Sequence, residues 1–258
     1  MNFHELSTGP FFILGPCVIE SRKLLHEIAG EIARLRDHYQ VPVIFKASYD
    51  KANRTSASAY RGPGMKEGLE MLAEIKAEFA LPLLTDVHES YQAAIAAEYV
   101  DVLQIPAFLC RQTDLLLAAA ETGKIINIKK AQFLSGQDMQ FPVEKVRSAG
   151  NSQILLCERG TMFGYNNLVV DFRNIPEMAA HGCPVVMDCT HSVQRPGGGG
   201  GKTSGNREFV PAMALAAKAF GANGYFLEVH PDPNSSPSDG PNMLPLSQLE
   251  ELMKKILA

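Results

Sequence analysis

Eight short apolar runs recur along the chain, each followed by a loop and then by a stretch with helical periodicity. The runs are PFFILGPCVI around Phe11–Ile19, VPVIFK ending at Lys46, LPLLTDV ending at Val87 and VDVLQIP ending at Pro106. They continue with KIINIKK ending at Lys130, QILLCERG around Gln153–Gly160, PVVMDCT ending at Thr190 and GYFLEVH ending at His230. Repeated βα units of this kind build a parallel sheet, and strands covered on both faces read as continuous hydrophobic runs. Between them, Leu24, Ile28, Ile32 and Leu35 share a helical face, as do Leu72, Ile75 and Phe79, and LSQLEELMKKILA supplies a last helix. Eight such units in 258 residues match the size of a closed barrel. The predicted fold is therefore α/β, a single (β/α)8 TIM barrel whose one catalytic domain spans residues 1–258. No linker or low-complexity segment divides the chain. An open doubly wound sheet has the same strand count and remains the alternative.

A formal net charge of -4 offers no long-range attraction to nucleic acid or to an anionic membrane, so neither is an expected partner. Cys17, Cys110, Cys157, Cys183 and Cys189 are odd in number, widely spread and without CxxC spacing, which argues against a disulfide framework. The N-terminal stretch lacks a basic region, is broken by Pro16, and no segment reaches transmembrane length. The expected location is cytoplasmic, with reduced thiols.

Lys46, Asp86, Gln104, Lys129, Arg159, His191 and Glu228 fall at or just beyond the C-terminal ends of predicted strands, in seven different units. Any one of them could simply bond to a loop backbone. Together they point to the barrel mouth, where catalytic groups gather. Lys46, Lys51, Arg54, Arg61, Arg111, Lys129, Lys130 and Arg159 form an excess of cations in small or apolar surroundings. Cations collected in one mouth ask for an anion such as phosphate plus carboxylate, although Lys130 and Arg61 are equally readable as solvent-facing. RPGGGGGKTSG is not a P-loop: its first glycine would fall on Pro196 and no strand directly precedes it. The glycine run reads as a lid or as a disordered insertion. YRGPGMKEG reads as a turn before a helix. Cys17, His191, Glu228 and Asp239 together would suit a borderline divalent cation (zinc, iron(II) or manganese), but their long separations carry no spacing signature.

Eight segments resemble the 3-deoxy-D-manno-octulosonate 8-phosphate synthases over nearly the full length. They are FKASYDKANRTS at 45–56, YRGPG at 60–64, TDVHE at 85–89, QIPAFLCRQTDL at 104–115, INIKKAQF at 126–133, CERGTMFGYNNLVVD at 157–171, DCTHSVQ at 188–194 and EVHPDPNSSPSDGPNMLPL at 228–246. The resemblance implies condensation of phosphoenolpyruvate with D-arabinose 5-phosphate and water, in lipopolysaccharide biosynthesis. It implies that Lys46, Ser48, Lys51, Gln104, Lys129 and Arg159 hold phosphoenolpyruvate, and that Asn53, Arg54, Thr55 and Asp86 hold the pentose phosphate. Arg111 is similar to an arginine that reaches a neighbouring subunit's site, implying a homo-oligomer, a tetramer by family pattern. Cys17, where other members carry asparagine, implies the metal-dependent class with His191, Glu228 and Asp239 as further ligands. Thr55 departs from an expected serine while keeping the hydroxyl, and the glycine run departs from the pattern at the lid.

Lys51 is the candidate for proton transfer, on the expectation that neighbouring cations lower its pKa. Cys17, His191 and Asp239 join it as candidate catalytic residues through the metal they would hold. Lys46, Lys129 and Arg159 would act by neutralising charge and positioning. The nearest alternative is the related synthase that takes erythrose 4-phosphate to make 3-deoxy-D-arabino-heptulosonate 7-phosphate, whose members carry Lys-Pro-Arg where this chain has KANRTS. A metal-dependent barrel hydrolase would need a metal pair or a His-x-His near Cys17, which the sequence lacks. A non-catalytic phosphosugar-binding barrel shares the fold and differs only in turnover.

Overall fold

The structure is a computed structural model and describes residues 2–54, 56–196 and 204–258. All eight apolar runs are strands: β1 (Phe11–Gly15), β2 (Val43–Lys46), β3 (Leu83–Asp86), β4 (Val102–Ile105), β5 (Ile125–Lys129), β6 (Ile154–Glu158), β7 (Val185–Asp188) and β8 (Gly224–His230). They pair in parallel in chain order, and β8 returns to β1 in the register Phe11↔Gly224 to Gly15↔Glu228. That last pairing closes the barrel and excludes the open sheet.

Alternation along each strand divides the core in two. Ile13, Ile44, Leu84, Val102, Ile125, Leu155, Val186 and Phe226 fill the interior, where Leu6 of the short helix α1 (Glu5–Thr8) joins them with Phe11. Phe12, Leu14, Phe45, Leu103, Ile126, Leu156 and Leu227 face outward against the helical layer. Burying each of these large side chains is worth about 1.5–3 kcal/mol. Gly15 permits the close approach of β1 to β2, because a Cβ there would lie 2.0 Å from the Lys46 carbonyl oxygen.

The outer layer comprises α2 (Arg22–Tyr39), α3 (Met65–Phe79), α4 (Ser90–Ala97), α5 (Thr113–Glu121), α6 (Gln140–Ser148), α7 (Asn174–Ala179), α8 (Val210–Ala219) and α9 (Leu249–Leu257). Ser21 caps α2 by accepting from the Leu24 amide, and Glu89 with Gln92 forms a capping box on α4. On α2 the core positions are Leu25, Ile28, Ile32 and Leu35, so Leu25 displaces Leu24, which is only half-buried. Among the described residues no helix is long and apolar enough to cross a membrane. All five cysteines are free and buried.

Two additions interrupt the βα repeat. A hairpin (Thr161–Gly164 with Asn167–Val169) follows β6, its turn residues Tyr165 and Asn166 both at positive φ. Gln194–Arg195 pairs antiparallel with Ser204–Gly205, bracketing the glycine run. That run and Thr55 lie outside the described residues, and with them the lid reading.

Candidate active site

Strand parity delivers the polar side chains. Two residues beyond the inward-facing apolar position, each strand places its next inward side chain at the C-terminal mouth: Lys46 after Ile44, Asp86 after Leu84, Gln104 after Val102, Asp188 after Val186 and Glu228 after Phe226. On β5 the series runs Ile125, Asn127, Lys129, and beyond β6 it runs Leu155, Cys157, Arg159. These ends surround a cavity of about 530 Å³ lined by Lys46, Lys51, Asn53, Arg54, Asp86, Gln104, Lys129, Arg159, His191 and Asp239.

Other expected residues lie elsewhere. Ser48 is buried and donates its hydroxyl hydrogen bond to Asp86 Oδ1. Cys17 and Glu228 are buried and do not line the cavity wall. Arg111 is exposed and lies away from the cavity; Lys145 Nζ donates to its carbonyl at 2.8 Å. Of the two cations readable as solvent-facing, Arg61 is exposed and pairs with Asp50, whereas Lys130 is fully buried outside the cavity.

The lysines of the mouth face protein carboxylates, whereas Arg159 and Arg54 meet only neutral groups among the described residues. Lys46 Nζ lies 3.1 Å from both Glu228 Oε1 and the Cys17 carbonyl, and Lys51 Nζ lies 3.9 Å from Glu228 Oε1. Lys129 Nζ donates to Asp188 Oδ2 at 2.7 Å and sits 4.0 Å from the centre of the Phe226 ring, a cation–π contact. Arg159 gives Nη2 to Gln194 Oε1 at 2.8 Å, while its buried Nη1 has no partner among the described residues. A buried guanidinium with a free donor is a ready anion site. Asn127 Nδ2 donates to Gln104 Oε1 at 3.0 Å, which leaves the Gln104 amide hydrogens for the cavity.

The expected lowering of the Lys51 pKa is corrected by its surroundings. Burial does work against its charge, but the acidic side chains of Cys17, Glu228, Asp86 and Asp239 outweigh it and raise the pKa well above the ordinary value. Lys46 is the lysine pushed down, by burial first and by Lys51 second. Asp86 is held well below the carboxylate range: burial opposes its charge, but His88, whose Nε2 is 3.0 Å from Asp86 Oδ2, Lys46 and Lys51 prevail.

Cys17, Glu228 and Asp239 bring one ligand atom each to within 4.8 Å of one another. Cys17 Sγ lies 3.2 Å from Asp239 Oδ2, and His191 Nε2 lies 3.8 Å from Glu228 Oε1. Three observations fit a cation there. Glu228 Oε2 is buried without a partner among the described residues. The Cys17 thiol is pushed well up by burial and then by Glu228, as expected of a group that needs a cation to ionise. Asp239 remains ionised, at about 2, because His191 and Lys51 more than offset its burial. His191 Nδ1 meets Asp188 Oδ2 at 2.8 Å; a carboxylate only accepts, so Nδ1 carries a hydrogen and Nε2 is the ring nitrogen turned towards Glu228.

Sequence reasoning passed over Asp188, His88, Gln132 and Gln194. Asp188 is the most consequential, because Oδ1 accepts the Thr190 and His191 amides while Oδ2 takes Lys129 and His191. Counting parity from Val186 would have found it.

The family model described as the DAHP synthetase I family matches residues 8–257. Curated relatives named 2-dehydro-3-deoxyphosphooctonate aldolase are similar throughout. One from Cyanothece sp. is 56% identical, with 98% of this chain and 94% of the relative covered. One from Syntrophobacter fumaroxidans is 54% identical over 98% and 88%, and one from Fusobacterium nucleatum is 55% identical over 94% and 87%. The closed barrel, its cation-lined mouth and these full-length matches converge: the chain belongs to the DAHP synthetase I family and, within it, to the 2-dehydro-3-deoxyphosphooctonate aldolases.

Proposed function

We propose that the chain condenses phosphoenolpyruvate with D-arabinose 5-phosphate and water, forming 3-deoxy-D-manno-octulosonate 8-phosphate and inorganic phosphate for lipopolysaccharide biosynthesis. The observation that carries this reading is the gathering of Lys46, Lys51, Arg54, Lys129 and Arg159 around one cavity, with Arg159 Nη1 unpaired among the described residues. Two phosphates and a carboxylate supply the anions that this array requires. The relatives' shared name describes a phosphorylated eight-carbon acid, and this favours the pentose over erythrose 4-phosphate.

In the reaction, carbon 3 of phosphoenolpyruvate attacks the sugar aldehyde, whose oxygen takes a proton as the new carbon–carbon bond forms. Water adds at carbon 2 and gives up both protons, one replacing that taken by the aldehyde oxygen and one leaving with phosphate as its carbon–oxygen bond breaks and carbon 2 becomes the ketone. Lys46, Lys129, Arg159 and Gln104 hold phosphoenolpyruvate and neutralise its charge before it reacts. Ser48 acts by fixing Asp86, which with Asn53, Arg54 and Thr55 receives the pentose phosphate. Lys51 is placed for proton transfer, its ammonium 3.9 Å from Glu228 Oε1 at the cavity wall. Cys17, His191, Glu228 and Asp239 hold a divalent cation: zinc, iron(II) or manganese. When bound, it supplies Lewis-acid polarisation to the adjoining reactants. The enzyme works in the cytoplasm as a homotetramer, with Arg111 reaching a neighbour's sugar phosphate; its exposure outside its own cavity supports that role.

The test is phosphate released from phosphoenolpyruvate with arabinose 5-phosphate and, separately, erythrose 4-phosphate, before and after chelation. Turnover with the pentose alone, lost on chelation and restored by a divalent ion, is expected. Turnover only with erythrose 4-phosphate would overturn the substrate, and activity surviving complete metal removal would overturn the metal's role.

A further inference from the structure

Lys130 and Glu158 are both closed off from solvent, yet neither lines the cavity. Parity turns Lys129 inward, so its neighbour Lys130 points out of the barrel, beneath the start of the hairpin that follows β6. There its Nζ donates to the carbonyls of Leu134 (3.1 Å), Ala131 (3.3 Å) and Gly160 (3.5 Å) and to Thr161 Oγ1 (3.3 Å), and lies 3.5 Å from Glu158 Oε1. Glu158 Oε1 accepts in turn from the amides of Arg159 (2.9 Å) and Gly160 (2.6 Å). One ion pair thus ties the chain leaving β5 to the chain leaving β6.

A buried ion pair adds little stability over apolar side chains of the same volume, and Glu158 Oε2 is even left without a partner. Its effect is on conformation. Both amides held by Glu158 belong to the turn that carries Arg159, and Gly160 takes φ +92 there. The carbonyls held by Lys130 flank Gln132, whose own carbonyl accepts the Met162 amide at 3.0 Å. Arg159 and Gln132 both line the cavity, and each presents a buried polar atom with no partner among the described residues.

We infer that Lys130 and Glu158 are a positioning pair that sets the Arg159 guanidinium, and so govern affinity for the anionic enol substrate without touching it. The assignment rests on the reading of Arg159 as a phosphoenolpyruvate ligand. Glu158→Gln keeps an acceptor for the two amides and removes the charge facing Lys130; Lys130→Met removes the cation. The KM for phosphoenolpyruvate is expected to rise about tenfold in E158Q and up to about a hundredfold in K130M, with the KM for the pentose phosphate within about twofold of wild type. Equal rises in both KM values, or none, would overturn the inference. A crystal structure of E158Q provides a readout independent of turnover, and it also serves if K130M does not fold. Displacement of the Arg159 guanidinium by about 1 Å supports the positioning role, and a superimposable guanidinium refutes it. If the wild type fails to consume phosphoenolpyruvate with the pentose, the proposed reaction falls, while this structural comparison still decides the pair's role.

Discussion

Asp188→Asn probes the most heavily used side chain of the mouth. The wild-type carboxylate is fully buried and has four donors on its two oxygens. Asparagine can keep Oδ1 for the Thr190 and His191 amides. Its NH2 group then replaces Oδ2 and confronts two further donors, Lys129 Nζ and His191 Nδ1–H. Lys129 loses its carboxylate partner while remaining buried, and breaking such a pair costs about 3–5 kcal/mol. His191 loses the acceptor that orients its ring and must rotate or shift its hydrogen. Loss of an orienting partner of this kind lowers metal affinity or activity by about 10–100-fold. Denaturant unfolding at pH 7, metal titration and phosphate release measure the three effects. The pH dependence has a definite sign. Asp188 is buried, which opposes its charge, but His191, Lys129 and Arg159 hold its pKa below the ordinary 3.8. Its contribution is therefore complete above that value and is lost as pH falls below it towards the lowered pKa, so the gap between wild type and variant should narrow in acid. An unfolding free energy within about 1 kcal/mol of wild type at pH 7, with unchanged turnover, would refute the argument.

Three further outcomes are expected. Cys17→Ser should weaken retention of zinc at least about tenfold, measured by competition with a chromogenic chelator, because the thiolate is the softest donor of the set. Gly15→Ala should cost about 1–3 kcal/mol in denaturant unfolding and raise the KM for phosphoenolpyruvate, since the added methyl displaces the Lys46 backbone. Tyr165→Asn should stabilise the fold by about 1 kcal/mol in thermal unfolding, because an exposed tyrosine at φ +51 occupies a left-handed position that asparagine tolerates better. A loss of stability there would instead mean that the tyrosine ring is packed in the assembly.

The alternation of apolar runs with helical periodicity was enough to place all eight barrel strands, because a side-chain period is a local property. The mouth was legible for the same reason: an inward-facing polar residue at the end of a buried strand opens onto it, as Lys46, Asp86, Gln104, Lys129 and Arg159 do. Parity would also have separated Lys129 from Lys130 and found Asp188, had it been counted strand by strand. What only the tertiary structure decided is which of these groups meet. Cys17 and Asp239 are 222 residues apart in sequence and in contact at 3.2 Å, and Lys46 reaches Glu228 across 182 residues. Such pairings depend on barrel closure and on the stagger between strands, neither of which leaves a trace in spacing. The same dependence explains the reversal at Lys51: its pKa is set by acidic side chains that closure delivers to it, not by the cations that neighbour it in sequence.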